Sequence, residues 1–208
     1  MDIVFWPEGG LRVVGAMTTL QTAALPPNSQ LVGIRFRPGM AGFFLGGVAP
    51  ELVDRSIPLE DLWGARGRRL HQELEDSDSA AARFLSLANA LPHPGRGLGS
   101  VHRAIAAMVA AGGAIDLDWA AREARLSPRQ FRRRSIEETG LSPKHLCRVL
   151  RFRRATALAA RLGWAQVAAE CGYSDQAHLI HDFREFTGST PSAFVRDRFF
   201  QDPGEPAG

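Results

Sequence analysis

The chain has 208 residues, 45% hydrophobic and 23% charged, with a formal net charge of +3. That is ordinary for one large or two small globular domains. It excludes a helical membrane protein, because no apolar run approaches the ~20 residues a bilayer span needs. Met1–Trp6 opens with an acid and lacks the basic start of a secretory signal, so the expectation is a soluble, cytoplasmic protein.

Taken in chain order, Asp2–Phe5, Leu11–Val14 and Leu31–Phe36 are short runs rich in Val, Ile and Phe between Pro and Gly turns, and are predicted strands. Three strands are few for a stable sheet unless one face is well covered. Ala41–Leu45 is predicted as a short helix, and Leu59–Leu74 and Ala80–Leu91 as longer ones. The first 91 residues are thus a small mixed α and β unit. Leu91-Pro92-His93-Pro94-Gly95-Arg96-Gly97-Leu98-Gly99-Ser100 combines two Pro with three Gly, which marks a linker at 92–100.

Beyond the linker the pattern is all helical. Val101–Ala111 is a helix stopped by Gly112-Gly113, and Asp116 caps a second over Leu117–Arg125. Ser127 caps a third, with Pro128 at its first position. Pro143–Leu162 has no internal breaker, and an apolar stripe at Leu146, Val149, Leu150, Leu158 and Leu162 predicts one continuous helix. Trp164–Cys171 follows as a helix, Gly172-Tyr173-Ser174 as a turn, and Asp175 caps a helix over Gln176–Phe186. The end, 199–208, reads as a flexible tail.

Charge is distributed unevenly. Residues 1–99 carry 9 Arg against 10 acids, whereas 122–161 hold 12 basic residues opposed only by Glu123, Glu137 and Glu138. Such a concentration is an electrostatic footprint for polyphosphate, although a plain solvated face would look the same. The two halves of this region also repeat: Thr139-Gly140-Leu141-Ser142-Pro143 recurs 48 residues later as Thr187-Gly188-Ser189-Thr190-Pro191. The same offset pairs Ala120 and Ala121 with Ala168 and Ala169, Ser127 with Asp175, Phe131 with Leu179 and Arg133 with His181. Two copies of one helical unit suit a ligand that repeats, and a DNA duplex offers the same groove every turn.

Each copy has the helix-turn-helix plan, a helix, a short turn and a second helix capped by a small polar side chain. Ala121 and Ala169 are small where the helices must cross, and Gly172 permits a positive φ. Several linked motifs extend this: Ala120 and Ser127; Gly140-x-Ser142-Pro143; Arg151-x-x-x-Ala155; Gly172-Tyr173-Ser174-Asp175; Phe183-x-x-Phe186; and Gly188-x-Thr190-Pro191. In these the chain resembles the AraC/XylS family of transcription regulators, from Asp116 to Arg196. The resemblance implies an α+β chain whose C-terminal domain, 101–198, has two helix-turn-helix lobes joined by a long helix. Its recognition helices would enter successive major grooves about 34 Å apart.

Carried over by position, base contacts fall on Arg129, Gln130, Arg132 and Arg133 in the first lobe and on Gln176, Ala177, Ile180 and His181 in the second. Arg can bind guanine O6 and N7 in bidentate fashion and Gln can do so for adenine, whereas Ile180 could only meet a thymine methyl. The first lobe is therefore expected to dominate affinity. Ser127, Arg134, Arg151, Arg154, Asp175 and His178 are assigned to phosphates or caps, with Arg153 also placed at phosphates or at acids within the fold. Ser135 departs from the pattern, standing where the family and Phe183 of the second copy place a core aromatic. Either the first lobe packs less well there or Ile136 fills the gap, and burying Phe rather than Ser would be worth roughly 2–3 kcal/mol.

The segments Val32–Gly39, Phe43–Gly46 and Pro58–Gly64 resemble the small sensor-like domain that precedes some AraC-type regulators, a partial β-barrel-like unit with further strands ahead of Met1–Phe5. That implies a sensing or dimerising N-terminal domain that lacks its first strands. The partners implied are double-stranded DNA at a promoter or operator, with RNA polymerase, a small-molecule effector and a second copy of the chain as further candidates. No cofactor is called for. Cys147 and Cys171 fall within helices without metal-like spacing and read as buried thiols. His178 and His181, with Asp175 and Asp182 nearby, have no third ligand at a suitable spacing for a metal.

Two other classes stay open on the sequence. A DNA-repair enzyme carrying an AraC-like domain would need an activated Cys, and a protein-interaction module would use the basic stretch on an acidic partner. No paired carboxylates, Ser/His/Asp set or phosphate-cradling Gly loop stands out.

Overall fold

The computed structural model describes residues 1–22, 25–27, 29–91, 99–159 and 161–194. Most of the expected linker and the whole of the expected tail lie outside them. Strand alternation builds the N-terminal sheet: in β1 (Asp2–Trp6) and β2 (Gly10–Val14) every second residue points inward, burying Ile3, Phe5, Leu11 and Val13. β3 (Val32–Arg35) pairs with β1 on its other side. A fourth strand that the sequence did not reveal, β4 (Ser56–Pro58), pairs with β2, giving an antiparallel sheet in the order β3-β1-β2-β4. Three residues ending in Pro carry no period to read. What makes them a strand is their partner, with Ile57 opposite Val13 and the Arg12 guanidinium holding the Ser56 hydroxyl and carbonyl at 2.9 and 2.7 Å.

α1 (Ala41–Leu45) lies where expected and is followed by an unforeseen 3₁₀ turn at Ala49–Leu52. The helix expected over Leu59–Leu74 is broken at Gly64 into α2 (Glu60–Trp63) and α3 (Ala65–Glu75). α4 (Ala80–Ala90) is capped by the Ser79 hydroxyl. Leu70, Leu74 and Leu87 of α3 and α4 cover the inner sheet face, which supplies the cover a small sheet requires.

The C-terminal half is α5 (Ser100–Ala110), α6 (Leu117–Glu123), α7 (Pro128–Thr139), α8 (Pro143–Leu158), α9 (Trp164–Glu170) and α10 (Gln176–Thr187). α8 ends a turn before the predicted Leu162. Among the described residues no helix is long and apolar enough to cross a membrane. Two clusters divide the interior. Ile105, Met108, Ala120, Ala121, Phe131, Leu146, Cys147 and Leu150 form the first lobe's core, while Ala155, Val167, Ala168, Leu179 and Phe183 form the second's.

Repeat symmetry holds after the turn and slips by one residue before it. Both first helices have seven residues, but three residues separate α6 from its cap partner Ser127 and four separate α9 from Asp175. The buried pair Ala120 and Ala121 therefore corresponds to Val167 and Ala168, and Ala169, expected at the crossing, is exposed.

Ser135 resolves differently from either expectation. It is fully buried, and its hydroxyl donates to the Leu141 carbonyl at 3.0 Å. Thr139 Oγ1 donates to the Ser135 carbonyl at 2.7 Å and accepts from Leu141 N–H at 3.1 Å. A closed polar knot at the end of α7 occupies the aromatic's place, and Ile136 is not part of the first lobe's core. Ser135→Phe should then lower the thermal midpoint, by overpacking of about 1–3 kcal/mol. Ser135→Ala should cost about 1 kcal/mol through the lost hydrogen bond. Thermal unfolding followed by circular dichroism checks both, and a stabilised Ser135→Phe protein would show that the aromatic site is vacant.

Candidate nucleic-acid interface

α7 is anchored at its start by a reciprocal box: Ser127 Oγ accepts from Gln130 N–H at 3.3 Å, while Gln130 Oε1 accepts from Ser127 N–H at 3.0 Å. The Gln130 side chain, expected to read a base, is thus engaged in holding its own helix. Arg129, Arg132 and Arg133 are exposed along α7. Arg129 and Arg132 have no side-chain partner among the described residues. Arg133 lies 3.6 Å from Glu137 and Arg134 2.9 Å from the same carboxylate. Those are exposed pairs, too weak to hold either guanidinium away from a stronger anion.

α10 is capped by Asp175, whose Oδ1 accepts from His178 N–H at 2.7 Å. His178 turns its Nδ1 to the Ser174 hydroxyl at 3.2 Å and sets its ring edge-on to Tyr173, so it belongs to the turn. Gln176, Ala177 and His181 are exposed, but Ile180 is half-buried against the second core, which limits what it can offer a groove. Arg184, one turn beyond Ile180 and exposed, extends the same face. Its place in the last turn of the helix was the available signal.

Arg151, expected at a phosphate, is engaged within the fold. It is half-buried over the Tyr173 ring, 5.6 Å from its centroid, with Nη1 3.5 Å from the Gly113 carbonyl. Arg154 stays exposed with Glu170 3.9 Å away, and Arg153 is exposed on α8. Arg148 is the functional cation the sequence did not single out. From α8 it donates to Asp182 Oδ1 at 2.7 Å and to both Glu185 oxygens, joining the connecting helix to α10. Asp182 is 1% exposed, so this is a pair taken out of water. Burial, and secondly the charge of Asp182, holds the Tyr173 phenol above its ordinary range.

The four residues considered for a metal are thus held in separate engagements, Asp175 at the cap, His178 at Ser174, His181 near Glu185 and Asp182 on Arg148. Cys147 and Cys171 are buried free thiols, and burial pushes both above the usual thiol range, opposite to an activated nucleophile.

Residues 120–197 match the family described as a helix-turn-helix domain, and residues 1–58 match one described as a domain of unknown function. The matched segment, residues 120–197, carries a helix-turn-helix domain. No curated relative matches the chain. Among solved structures, the DNA-binding domain of AdpA, the global transcriptional factor, in complex with a target DNA, is 25% identical over 51% of this chain and 100% of that one, at a TM-score of 0.47. The C-terminal domain of AraT, a response regulator from Geobacillus stearothermophilus, is 23% identical over 51% and 92% of the two chains, at 0.45. A DNA-binding transcriptional dual regulator from Escherichia coli K-12 is 21% identical over 52% and 100%, at 0.43.

Within the helix-turn-helix domain the two turns differ in strain. Gly172 takes a φ of +72°, whereas the first turn puts Arg125 at +56°. A left-handed conformation is costly for a residue with a Cβ, so Arg125→Gly should stabilise the protein by about 0.5–1 kcal/mol in chemical denaturation. Arg148→Met should do the reverse, because it leaves a buried carboxylate unpaired, at about 3–5 kcal/mol.

Acid should also loosen the second lobe. Hydrogen bonding to Arg148 lowers the Glu185 pKa, and burial lowers that of His145. Both groups bind protons more weakly folded than unfolded, so their contribution is complete above their unfolded pKa values and is lost as pH falls through the folded ones. A pH series of melts should show a decline below about pH 6.5, the ordinary His value, and the His145 part should vanish in His145→Gln.

Proposed function

We propose that this chain is a sequence-specific transcription regulator that reads DNA with α7 and α10, with Arg129 and Arg132 dominating the contact. The observation that carries this reading is the state of those two guanidiniums: exposed, on the outward face of a helix capped for entry into a groove, and without partners among the described residues. An arginine with both forks free can take guanine O6 and N7 together. Arg133 joins them once released from Glu137. Gln176, Ala177 and His181, with Arg184 beside them, form the second and weaker reading face. Arg134 and Arg154 meet phosphates, while Ser127, Gln130, Asp175 and His178 set the helix N-termini whose backbone N–H groups face the same backbone.

In this reading, residues 1–91 are a sensing unit attached to 101–198 through the linker, and they act on the reading head through direct contact rather than at a distance. The 3₁₀ turn at Ala49–Leu52 packs on the end of α7, where a Cβ on Gly140 would stand 2.7 Å from the Ala49 carbonyl. Dimerisation and contact with RNA polymerase are further roles open to the exposed faces of the same unit.

Selection from random DNA should return a two-part motif with halves about one helical turn apart. No enriched motif would overturn the proposal. Arg132→Ala and Arg129→Ala should each cost about 1–3 kcal/mol and relax preference within one half only, whereas Arg154→Ala should weaken all sequences alike and flatten the salt dependence.

A further inference from the structure

The N-terminal unit and the helix-turn-helix domain line a half-open cavity of about 430 Å³. That lies within the roughly 300–1,000 Å³ usual for small-molecule sites. One wall comes from the N-terminal unit, including Phe36 and Val14, and the other from the end of α7 and the face of α8 through Leu141, Leu146 and Val149. The aromatic side chains of the N-terminal unit are largely core: Phe5 is fully buried and Phe36 stacks on Phe44 at 4.9 Å.

The charges around the cavity are distributed unequally. Arg35 is held by Asp2 through two hydrogen bonds of 3.0 and 2.9 Å, and Glu138 is held by His102 at 3.4 Å. Arg37 from the N-terminal unit and Arg153 from α8 have no side-chain partner among the described residues. An apolar hollow with an uncommitted cation on each side is complementary to an apolar body bearing one negative group.

The cavity also touches the support of the second lobe. Residues 15–22 leave β2 as a strap fastened by Asp54, whose carboxylate accepts from Thr18 N–H and Oγ1 at 2.6 and 2.5 Å. At Leu20, which lines the cavity, the backbone N–H donates to the Phe186 carbonyl at 2.6 Å. Phe186 belongs to the last turn of α10, where carbonyls lack helical partners. One occupant would therefore meet the end of α7, the face of α8 and the strap that satisfies the end of α10.

We propose that this interdomain cavity binds a small amphiphilic carboxylate, its apolar body between α8 and the sheet and its anionic head between Arg37 and Arg153. The proposal rests on the reading of residues 1–91 as a sensing unit. It locates the effector site between the two parts of the chain, where binding changes how the recognition helices are held.

Calorimetric titration of the full chain, without DNA, with octanoate and 4-phenylbutyrate tests it, with octanol and 4-phenylbutanol as uncharged counterparts. The expected result is saturable one-to-one binding of at least one acid, with its alcohol weaker by about tenfold or more, the usual value of a charge-assisted hydrogen bond. Arg37→Glu and Arg153→Glu should each weaken the acid by a similar factor and leave the alcohol unchanged. Val149→Trp should fill the cavity and abolish binding. Met17→Trp fills it from the opposite wall, which keeps the test decisive if the first variant does not fold.

Absence of saturable binding by both acids overturns the site, as does equal binding of acid and alcohol, or binding that survives in a folded Trp variant. Because these titrations contain no DNA, such a failure leaves the DNA-reading domain standing. A random-DNA selection without a motif would overturn that domain's role and leave the cavity site intact.

Discussion

The arrangement of the C-terminal half depends on α8 entering two cores at once. Its first two turns place Leu146, Cys147 and Leu150 in the first lobe, and its later turns place Phe152 and Ala155 in the second. A helix is rigid over such a length, so α7 and α10 are fixed to a common axis. Hydrophobic burial alone would tolerate sliding of α10 along that axis. Arg148 removes this freedom, because a guanidinium fitted to the buried Asp182 and the flanking Glu185 specifies both distance and orientation.

The two lobes solve the same packing problem with different chemistry. In the second, Phe152 meets Phe183 and Phe186 at 4.8 and 5.0 Å between ring centroids, an aromatic cluster that needs no polar satisfaction. In the first, Ser135, Thr139 and Leu141 form a hydrogen-bonded knot at the position where an aromatic would sit. The knot tightens the end of α7 just where the N-terminal unit presses on it. Gly42 of α1 lies against Glu138, and Gly140 against Ala49, so this end of the helix is a contact surface as well as a core boundary. The departure of Ser135 from the repeat thus coincides with the end of α7 that the N-terminal unit contacts.

Much of the helical half was legible because its determinants are local. Caps at Asp116, Ser127 and Asp175 act within three residues, and the structure shows each one accepting its helix's N–H. The arginines of α7 that the resemblance carried over are exposed, on the side of the helix away from the buried Phe131. Less legible were features whose cause lies far away in sequence. β4 exists because β2 offers an edge, and the strap exists because Asp54 and Phe186 receive it. Gln130 and Arg151 were assigned to DNA by position, and only their surroundings revealed the cap and the Tyr173 face that hold them.

Sequence by itself determined the duplication, the helix-turn-helix plan, the basic stretch and the apolar stripe of the connecting helix, since periodicity and capping are properties of neighbours along the chain. Tertiary structure decided which guanidiniums stay without partners among the described residues, how Ser135 is satisfied, that Arg148 ties α8 to α10, and that a cavity lies between the N-terminal unit and the C-terminal helices. Those depend on which surfaces meet across tens or hundreds of residues, where burial and ion pairing are set by partners that no local pattern names.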